Sequence, residues 1–456
     1  MDKKQHEFKI TFAGGAGSVT GANFLIEFGE EKILVDCGLL QKTKLADEIN
    51  WEPFPYDVST VGHLIITHAH IDHIGRIPKL VKDGFRGRIV STPPTMELAR
   101  PMLEDTVAIL GRNKEDDLSK IYNEEVLSQV FPLWEAHEYK KPWKIGPATI
   151  RFLDAGHILG STMIEISYGG KVFVFTGDLG NSPSPILPDT DKLENVDYLI
   201  MESVYGDRNH ESRDQRKKLL EEVIEDNYKS GGALVIPTFS LERTQELLFE
   251  INDLVENQRI PAMPIFLDSP LAIKLTHVYK NFTNYLNEGA KKLISDGDDI
   301  YNFPGLTVTK ETEESKAIIK APNPKIIIAG SGMSNGGRII HHEINYLPDP
   351  KNTLLLTGYQ SMGTLGRTIE DGAKVVKISG EEVSVRARVR KISGYSGHKD
   401  ADHLLEFVED VSDKVKKVFV VLGEPKSSMF LAQRIRDYLG INAVVPKDDE
   451  VVSIKW

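Results

Sequence analysis

The stretch HLIITHAHIDHIG, residues 63–75, constrains this chain more than any other. HLIIT reads as a buried strand, and directly behind it His68, His70, Asp72 and His73 fall within six positions. Alternate residues of an extended segment face the same way, so His68, His70 and Asp72 converge. A turn after Asp72, which Gly75 allows, brings in His73. Imidazole and carboxylate together suit zinc and its first-row neighbours. A metal site at a strand end accounts for this crowding better than a solvated polar turn does.

Other candidate ligands also stand at the ends of expected strands. Asp36 follows KILV, His157 follows IRFLDAG and Asp178 follows KVFVFTG. Each alone reads equally as a turn residue, and only their coincidence with the 68–73 cluster points to a metal. Cys37 is the single cysteine, so no intrachain disulfide forms, and a small buried apolar role suits it. A reducing, cytoplasmic setting is compatible with that cysteine usage. The N-terminal MDKKQHEFKITF lacks the apolar run of a signal peptide, and no stretch has the length and apolarity of a membrane helix. The net charge of −12 means that nucleic acid would need a local basic strip. Bound cations would supply such a reversal of field at a metal site.

FKITFAGGAG, NFLIEFG and EKILVDCG are short apolar runs broken by turns, as in a β-meander. AGGAGSVTG lacks the Gly-Lys-Ser/Thr of a phosphate loop and reads as a turn between strands. IPKLVKDG reads as a short amphipathic helix and RIVST as a strand; helical periodicity occupies 95–130 and strands return over 148–205. From 207 the pattern changes. Long helical segments such as LERTQELLFEINDLVEN alternate with short buried-strand runs, ALVIPTF, PIFLD, KIIIAG and TLLLTG. That alternation predicts βαβ units around a parallel sheet. After about 385 strands resume with VRARVRKI. The fold class is α/β with two cores, the second inserted into the first.

HAHIDH fits the His-x-His-x-Asp-His pattern of the metallo-β-lactamase fold, and LVDCG, AGHILGS and FTGDLG match its other metal motifs in order. MESVYGDR, IPTFSLERTQELL, DSPLA, SGMSNGGR, GYQSMGTLGR and SGYSGHKD resemble the β-CASP subgroup, a set of nucleic-acid-processing nucleases. The resemblance covers nearly the whole chain. It implies an αββα sandwich from residues 1–205 and 385–456, with a β-CASP domain at 206–384 inserted between. It also implies two zinc ions: His68, His70 and His157 on the first, Asp72 and His73 on the second, and Asp178 between them. Asp36 becomes the carboxylate that orients a ligand histidine. Glu202 and His398 match the first two β-CASP motifs, with His398 as the general acid and Glu202 as its hydrogen-bond partner. One position departs. RNA-processing members carry a ligand histidine before Gly-Glu in the last core strand, whereas this chain has Leu422. The second zinc is therefore expected to bind more weakly, and manganese is compatible with the site. DNA-acting members carry an apolar valine there.

GSGMSNGG, including Ser331 and Gly332, reads either as a phosphate cradle or as a plain strand-to-helix turn. Its glycine spacing is one residue off the dinucleotide fingerprint. Arg386, Arg388 and Arg390 would share one strand face, either a solvated face or a backbone-gripping strip extended by Arg338 and Arg367. His341 and His342 read as helix-surface residues, and His63, His137, His210, His277 and His403 as surface or packing residues.

The reading is a zinc-dependent phosphodiesterase, with RNA favoured over DNA as substrate and partner, a homodimer allowed, and no membrane association. A non-catalytic partner subunit and a small-molecule metallohydrolase are the competing classes. Retention of six ligand positions speaks against the first of these, and the long insertion, which suits a threaded polymer, against the second. A di-iron redox role is disfavoured because those relatives carry Glu where this chain has His70. The spacing yields one direct expectation. His70→Ala should remove most bound zinc and abolish cleavage; full zinc content by elemental analysis, with activity retained, would overturn the assignment.

Overall fold

In the strand Glu7–Phe12, every second side chain is fully buried: Phe8, Ile10 and Phe12. This period-2 pattern repeats in Ala148–Asp154, and it marks strands with one face against a core. The computed structural model describes residues 6–41, 49–111 and 117–456, and they form two units. The first comprises Met1–Ser182, Asp189–Asn209 and His398–Trp456; the second comprises Pro183–Pro188 and His210–Gly397.

Two seven-stranded sheets build the first unit. One runs Val451–Lys455, Glu7–Phe12, Phe24–Phe28, Glu31–Val35, His63–Ile65, Arg88–Ser91, Trp134–Ala136 in spatial order. The other runs Ala443–Val444, Lys417–Val420, Tyr198–Met201, Lys171–Phe175, Thr162–Tyr168, Ala148–Asp154, Trp143–Ile145. The expected meander holds, since Glu7–Phe12, Phe24–Phe28 and Glu31–Val35 pair antiparallel in sequence. Between the sheets lies an aromatic core with Phe8, Phe12, Phe24 and Phe28 from one side and Phe152, Phe173, Phe175 and Phe419 from the other. Phe8 stacks on Phe173 with ring centroids 3.7 Å apart. Helices Ala401–Glu409 and Pro425–Leu439 bury Leu404, Phe407, Leu431 and Ile435 against the outer face of the second sheet. On the other side, Ile77–Lys82, Pro93–Leu110 and Glu124–Val130 pack together beside the first sheet's edge strand. The result is the αββα layering expected.

The second unit contains a six-stranded, wholly parallel sheet in the order Leu306–Val308, Ile265–Asp268, Lys325–Ala329, Ala233–Pro237, Thr353–Thr357, Arg388–Ile392. Its central strands Lys325–Ala329, Ala233–Pro237 and Thr353–Thr357 are buried on both faces, as parallel sheets require. The helix Arg213–Ser230 starts at a Ser212–Gln215 capping box and stops at Gly231, which adopts the left-handed conformation open to glycine. Residues 385–397 were expected to return to the first unit, but they stay in the second. The reason is the five-residue parallel pairing of Arg388–Ile392 with Thr353–Thr357, which makes this segment the edge of the second sheet. The segment Pro183–Pro188 likewise groups with the second unit, and the first unit continues to Asn209 rather than 205. No helix among the described residues is long and apolar enough to cross a membrane.

A histidine expected on a helix surface is buried here. His342 is 2% exposed, and its Nε2 lies 2.7 Å from Asp268 Oδ2 at the end of Ile265–Asp268. The Arg338 guanidinium donates to Asp268 Oδ1 at 2.7 Å and to the carbonyls of Thr309 and Lys310. Burial opposes charge on Asp268, but His342, Ser315, Thr309 and Arg338 outweigh it and hold the carboxyl far below its usual range. A depressed acid stabilises the fold above its unfolded value, near pH 4, and loses that contribution as pH falls. Asp268→Ala should lower the unfolding free energy of the second unit by about 3–5 kcal/mol at neutral pH. Urea titration at pH 7 and pH 3 checks this, and the gap between variant and wild type should narrow at the lower pH.

Candidate metal centre

The first unit gathers its candidate ligands at one end of the sandwich because of strand direction. Glu31–Val35 and His63–Ile65 run parallel, so Asp36 and Thr67 leave their strands side by side. In the opposite sheet Lys171–Phe175, Tyr198–Met201 and Lys417–Val420 also run parallel, which places Asp178, Glu202 and Leu422 beyond the same strand ends. His157 follows Ala148–Asp154, which is antiparallel to Thr162–Tyr168 and so points the same way as Lys171–Phe175.

The chain turns earlier than the spacing implied. His70 caps a four-residue helix, Ile71–Ile74, and that turn carries buried His73 back toward the cluster. Gly75 serves space rather than conformation: its φ is −66°, but a Cβ there would lie 2.5 Å from the Ile71 carbonyl oxygen and 2.7 Å from Leu39. Gly38 has the same function, because its Cβ would fall 1.5 Å from the Asp72 carbonyl oxygen. This contact lets Cys37 N–H bond the His73 carbonyl and Leu39 N–H bond the Ile71 carbonyl, at 2.8 and 3.0 Å. Cys37 is fully buried, and burial pushes its thiol up to about 12, so it stays protonated and inert.

His68 Nε2 lies 3.0 Å from His70 Nδ1, and His157 Nε2 lies 3.2 Å from the same atom. Asp178 Oδ2 stands 3.5 Å from His68 Nε2 and 3.6 Å from His157 Nε2. Four donors at zinc bond lengths of about 2.1 Å are about 3.4 Å apart in a tetrahedron. The four separations therefore match neighbouring donors around one zinc ion, and imidazole and carboxylate suit it in chemistry. Unfilled valence points the same way: buried His73 Nε2 and Asp178 Oδ1 have no hydrogen-bond partner among the described residues, and His73 Nε2 is 3.5 Å from Asp178 Oδ2. Burial pushes the His68 and His70 rings well down, which keeps them neutral and able to ligate. For Asp178 burial acts against charge, but the histidines, His73 foremost, hold its carboxyl well below the usual range.

Asp36 is fully buried and adopts a left-handed φ of 59°, a strained conformation for a residue with a Cβ. Its Oδ2 accepts the His73 Nδ1–H at 2.7 Å. Thr67, which no sequence argument singled out, donates its N–H to Asp36 Oδ1 and its hydroxyl to Asp36 Oδ2, both at 2.8 Å. The one signal for it in the sequence is a hydroxyl residue immediately before the first candidate ligand histidine.

A second group adjoins the first. Ligand atoms of Asp178, Glu202 and His398 lie within 4.8 Å of one another, as do those of His68, His70, His157 and Asp178. Asp72 and His73 belong to neither group among the described residues. His398 Nδ1 sits 3.2 Å from Glu202 Oε1 and 3.9 Å from Asp178 Oδ2. Glu202 is fully buried and is fixed by the Leu179 and Val204 N–H groups at 2.6 and 3.3 Å. The His398 segment is pinned by a bridge to Gly180 and by Lys399 N–H on the Leu179 carbonyl. Burial opposes charge on the His398 ring, but Glu202 and Asp178 outweigh it and raise the ring to about 9.

Leu422 is 1% exposed and left-handed at φ 49°. It packs into the aromatic core against Gly15, and its N–H bonds the Gly15 carbonyl at 2.7 Å. The AGGAGSVTG turn thus packs against the strand end that carries Leu422.

The remaining candidates lie in the second unit and are spread out. Arg388 bonds Ser230 and Thr353, Arg390 pairs with Asp226 at 3.5 Å, Arg367 pairs with Asp371, and Arg338 is held by Asp268. Of the expected strip, Arg388 and Arg390 lie within the strand Arg388–Ile392, and Arg386 precedes it. Arg386 is exposed, and Ser331 Oγ accepts the Asn335 N–H at 3.1 Å.

Comparison with known proteins agrees with this architecture. Residues 17–248 match the metallo-beta-lactamase superfamily, 244–369 the Beta-Casp domain, and 382–446 the Zn-dependent metallo-hydrolase RNA specificity domain. The chain is 36% identical over 425 residues to Ribonuclease TTHA0252 of Thermus thermophilus, covering 93% of this chain and 95% of that one. It is 31% identical over 452 residues to an RNase J-like protein of Methanocaldococcus jannaschii, covering 98% and 99% of the two chains. It is 30% identical over 469 residues to the transcription termination factor FttA of Methanosarcina mazei, covering 99% of this chain and 72% of that protein. A solved structure of a protein of unknown function from Enterococcus faecalis V583 shares the fold, with a TM-score of 0.59, 11% identity, and 98% and 100% coverage. From strand order through donor spacing to these matches, the chain belongs to the metallo-β-lactamase superfamily, in its β-CASP branch.

Proposed function

We propose that this chain is a zinc-dependent ribonuclease that hydrolyses phosphodiester bonds of single-stranded RNA in the cytoplasm. The observation that carries the reading is the convergence of His68, His70, His157 and Asp178, whose ligand atoms lie within 4.8 Å of one another, with His398 held beside them by Glu202. Relatives named as ribonucleases over nearly the same length support RNA as the substrate. In this reading His68, His70, His157 and Asp178 hold one zinc, and Asp72, His73 and Asp178 a second. Bound there, zinc supplies Lewis-acid activation of water and neutralises charge at the phosphate. Asp178 keeps a full negative charge at the centre, and Asp36 holds His73 in the Nδ1–H tautomer so that Nε2 faces Asp178. His398 donates Nδ1–H to Glu202, which leaves Nε2 to pass a proton to the departing ribose oxygen. Arg386 and Ser331 are retained as substrate contacts.

The zinc-loaded protein should cleave labelled single-stranded RNA faster than DNA of matched sequence. His398→Ala should keep its zinc and lose RNA cleavage by roughly 10²–10⁴-fold. A nitrophenyl phosphodiester, whose leaving group needs little protonation, should largely escape that loss. Equal slowing of both substrates would assign His398 a positioning role instead.

Leu422 bears on the second zinc. With Asp72, His73 and the shared Asp178 as its protein donors, that ion should leave first. Dialysis against a mild chelator should leave about one zinc per chain, with activity restored by zinc or manganese. Leu422→His should tighten the second site if the core around Gly15 accommodates an imidazole. Two zinc ions surviving the chelator in the unmodified protein would sink the idea. A shift in the RNA-to-DNA ratio on Leu422→His would tie this position to substrate choice.

A further inference from the structure

Thr67 is 1% exposed and makes more polar contacts around the cluster than its neighbours in sequence. Its backbone is fixed on both sides, with N–H on Asp36 Oδ1 at 2.8 Å and the carbonyl accepting Thr162 N–H at 2.8 Å. Its side chain is wedged against Gly177, where a Cβ would fall 2.7 Å from Thr67 Cβ. The hydroxyl is therefore held in one place. Three groups surround it: Asp36 Oδ2 at 2.8 Å, His68 Nδ1 at 3.0 Å and His73 Nδ1 at 3.3 Å.

Proton counting assigns these contacts. A hydroxyl has one proton and two lone pairs, and an ionised carboxylate only accepts. The Thr67 proton therefore goes to Asp36 Oδ2, and its lone pairs face the ring nitrogens. His73 Nδ1–H has a closer acceptor in Asp36 Oδ2 at 2.7 Å, so the Thr67 lone pair belongs chiefly to His68. An oxygen lone pair facing His68 Nδ1 requires a proton on that nitrogen. His68 Nε2 is then the bare nitrogen, and it is the atom turned toward His70 and Asp178.

We infer that Thr67 is a positioning residue whose hydroxyl relays the Asp36 carboxylate to His68 and sets the tautomer that presents Nε2 to the metal. Asp36 thereby orients one histidine of each proposed zinc, His73 directly and His68 through Thr67. The inference about Thr67 rests on the reading of His68 as a ligand, and the test separates the two.

Zinc affinity of the full chain is measured by competition with a chromophoric chelator for wild type, Thr67→Ser, Thr67→Ala, Thr67→Val, Asp36→Asn and the Thr67→Val/Asp36→Asn pair. Thr67→Val and Thr67→Ala should weaken the tighter site by roughly 10–100-fold, while Thr67→Ser, which keeps the hydroxyl, stays near wild type. The paired variant should bind no worse than Asp36→Asn alone, because both changes cut the same relay. In the zinc-loaded wild type and Thr67→Ser, the His68 Nδ1–H should exchange slowly with solvent, and in Thr67→Val it should exchange fast. Wild-type affinity in Thr67→Val, or additive losses in the paired variant, overturns the relay. If Thr67→Val does not fold, the serine and alanine variants decide: equal losses in both overturn the relay, and rescue by serine alone supports it. A wild-type chain that binds no zinc overturns the metal reading itself, and the relay with it.

Discussion

The cost of burying charge governs the organisation of this protein. Asp178 is 5% exposed, and an isolated carboxylate in such a place would be protonated or would unfold its surroundings. His73 and His398 do most to keep it charged, with ring nitrogens 3.5 and 3.9 Å from its Oδ2, while His68 and His157 stand 3.5 and 3.6 Å from the same oxygen as fellow candidate ligands. Those rings need anchors of their own. Asp36 fixes His73 and Glu202 fixes His398, and both carboxylates are themselves buried and bonded to backbone N–H groups. The centre thus requires a second layer of buried carboxyl groups, and that layer requires well-placed backbone.

The sandwich supplies the backbone. Parallel neighbours in each sheet deliver Asp36 beside Thr67, and Asp178 beside Glu202, without long loops. Tight crossings then press the loops together, with Gly38 on the Asp72 peptide and Gly177 on Thr67. Strain appears in the same places: Asp36 and Leu422 are both non-glycine residues with positive φ. Such strain persists only where the surrounding bonds over-determine the conformation. The bonds made by Asp36 to Thr67 and His73, and by the Leu422 N–H to Gly15, do that.

The second unit manages buried charge in a different way. Around Asp268 it gathers an arginine, a histidine and two hydroxyls, a closed set that leaves the carboxylate no open position for a ligand. Among the described residues Asp178 retains an oxygen without a partner, whereas both oxygens of Asp268 are engaged. That difference separates a carboxylate poised for a metal from one that staples a sheet to its loops.

Much of this was legible in the sequence, for reasons of locality. Period-2 burial in EFKITF, the apolar run before THAHIDH and the helix–strand alternation after 207 are short-range patterns, and they predicted the strands and the parallel second sheet. Other features depended on contacts between distant segments. Pairing with Thr353–Thr357 drew Arg388–Ile392 into the second sheet, and an aspartate 74 residues earlier in the chain buried His342. The turn at His70 came from space left by Gly38 and Gly75, which spacing alone cannot reveal. Thr67 is the clearest case. A hydroxyl residue before a histidine is its one local signal, and its role appears only when folding brings Asp36, 31 residues away, within hydrogen-bond reach of that hydroxyl. The sequence by itself determined which side chains were available for ligation; tertiary structure decided which hydrogen-bond partners each one meets, because those partners are three-dimensional neighbours.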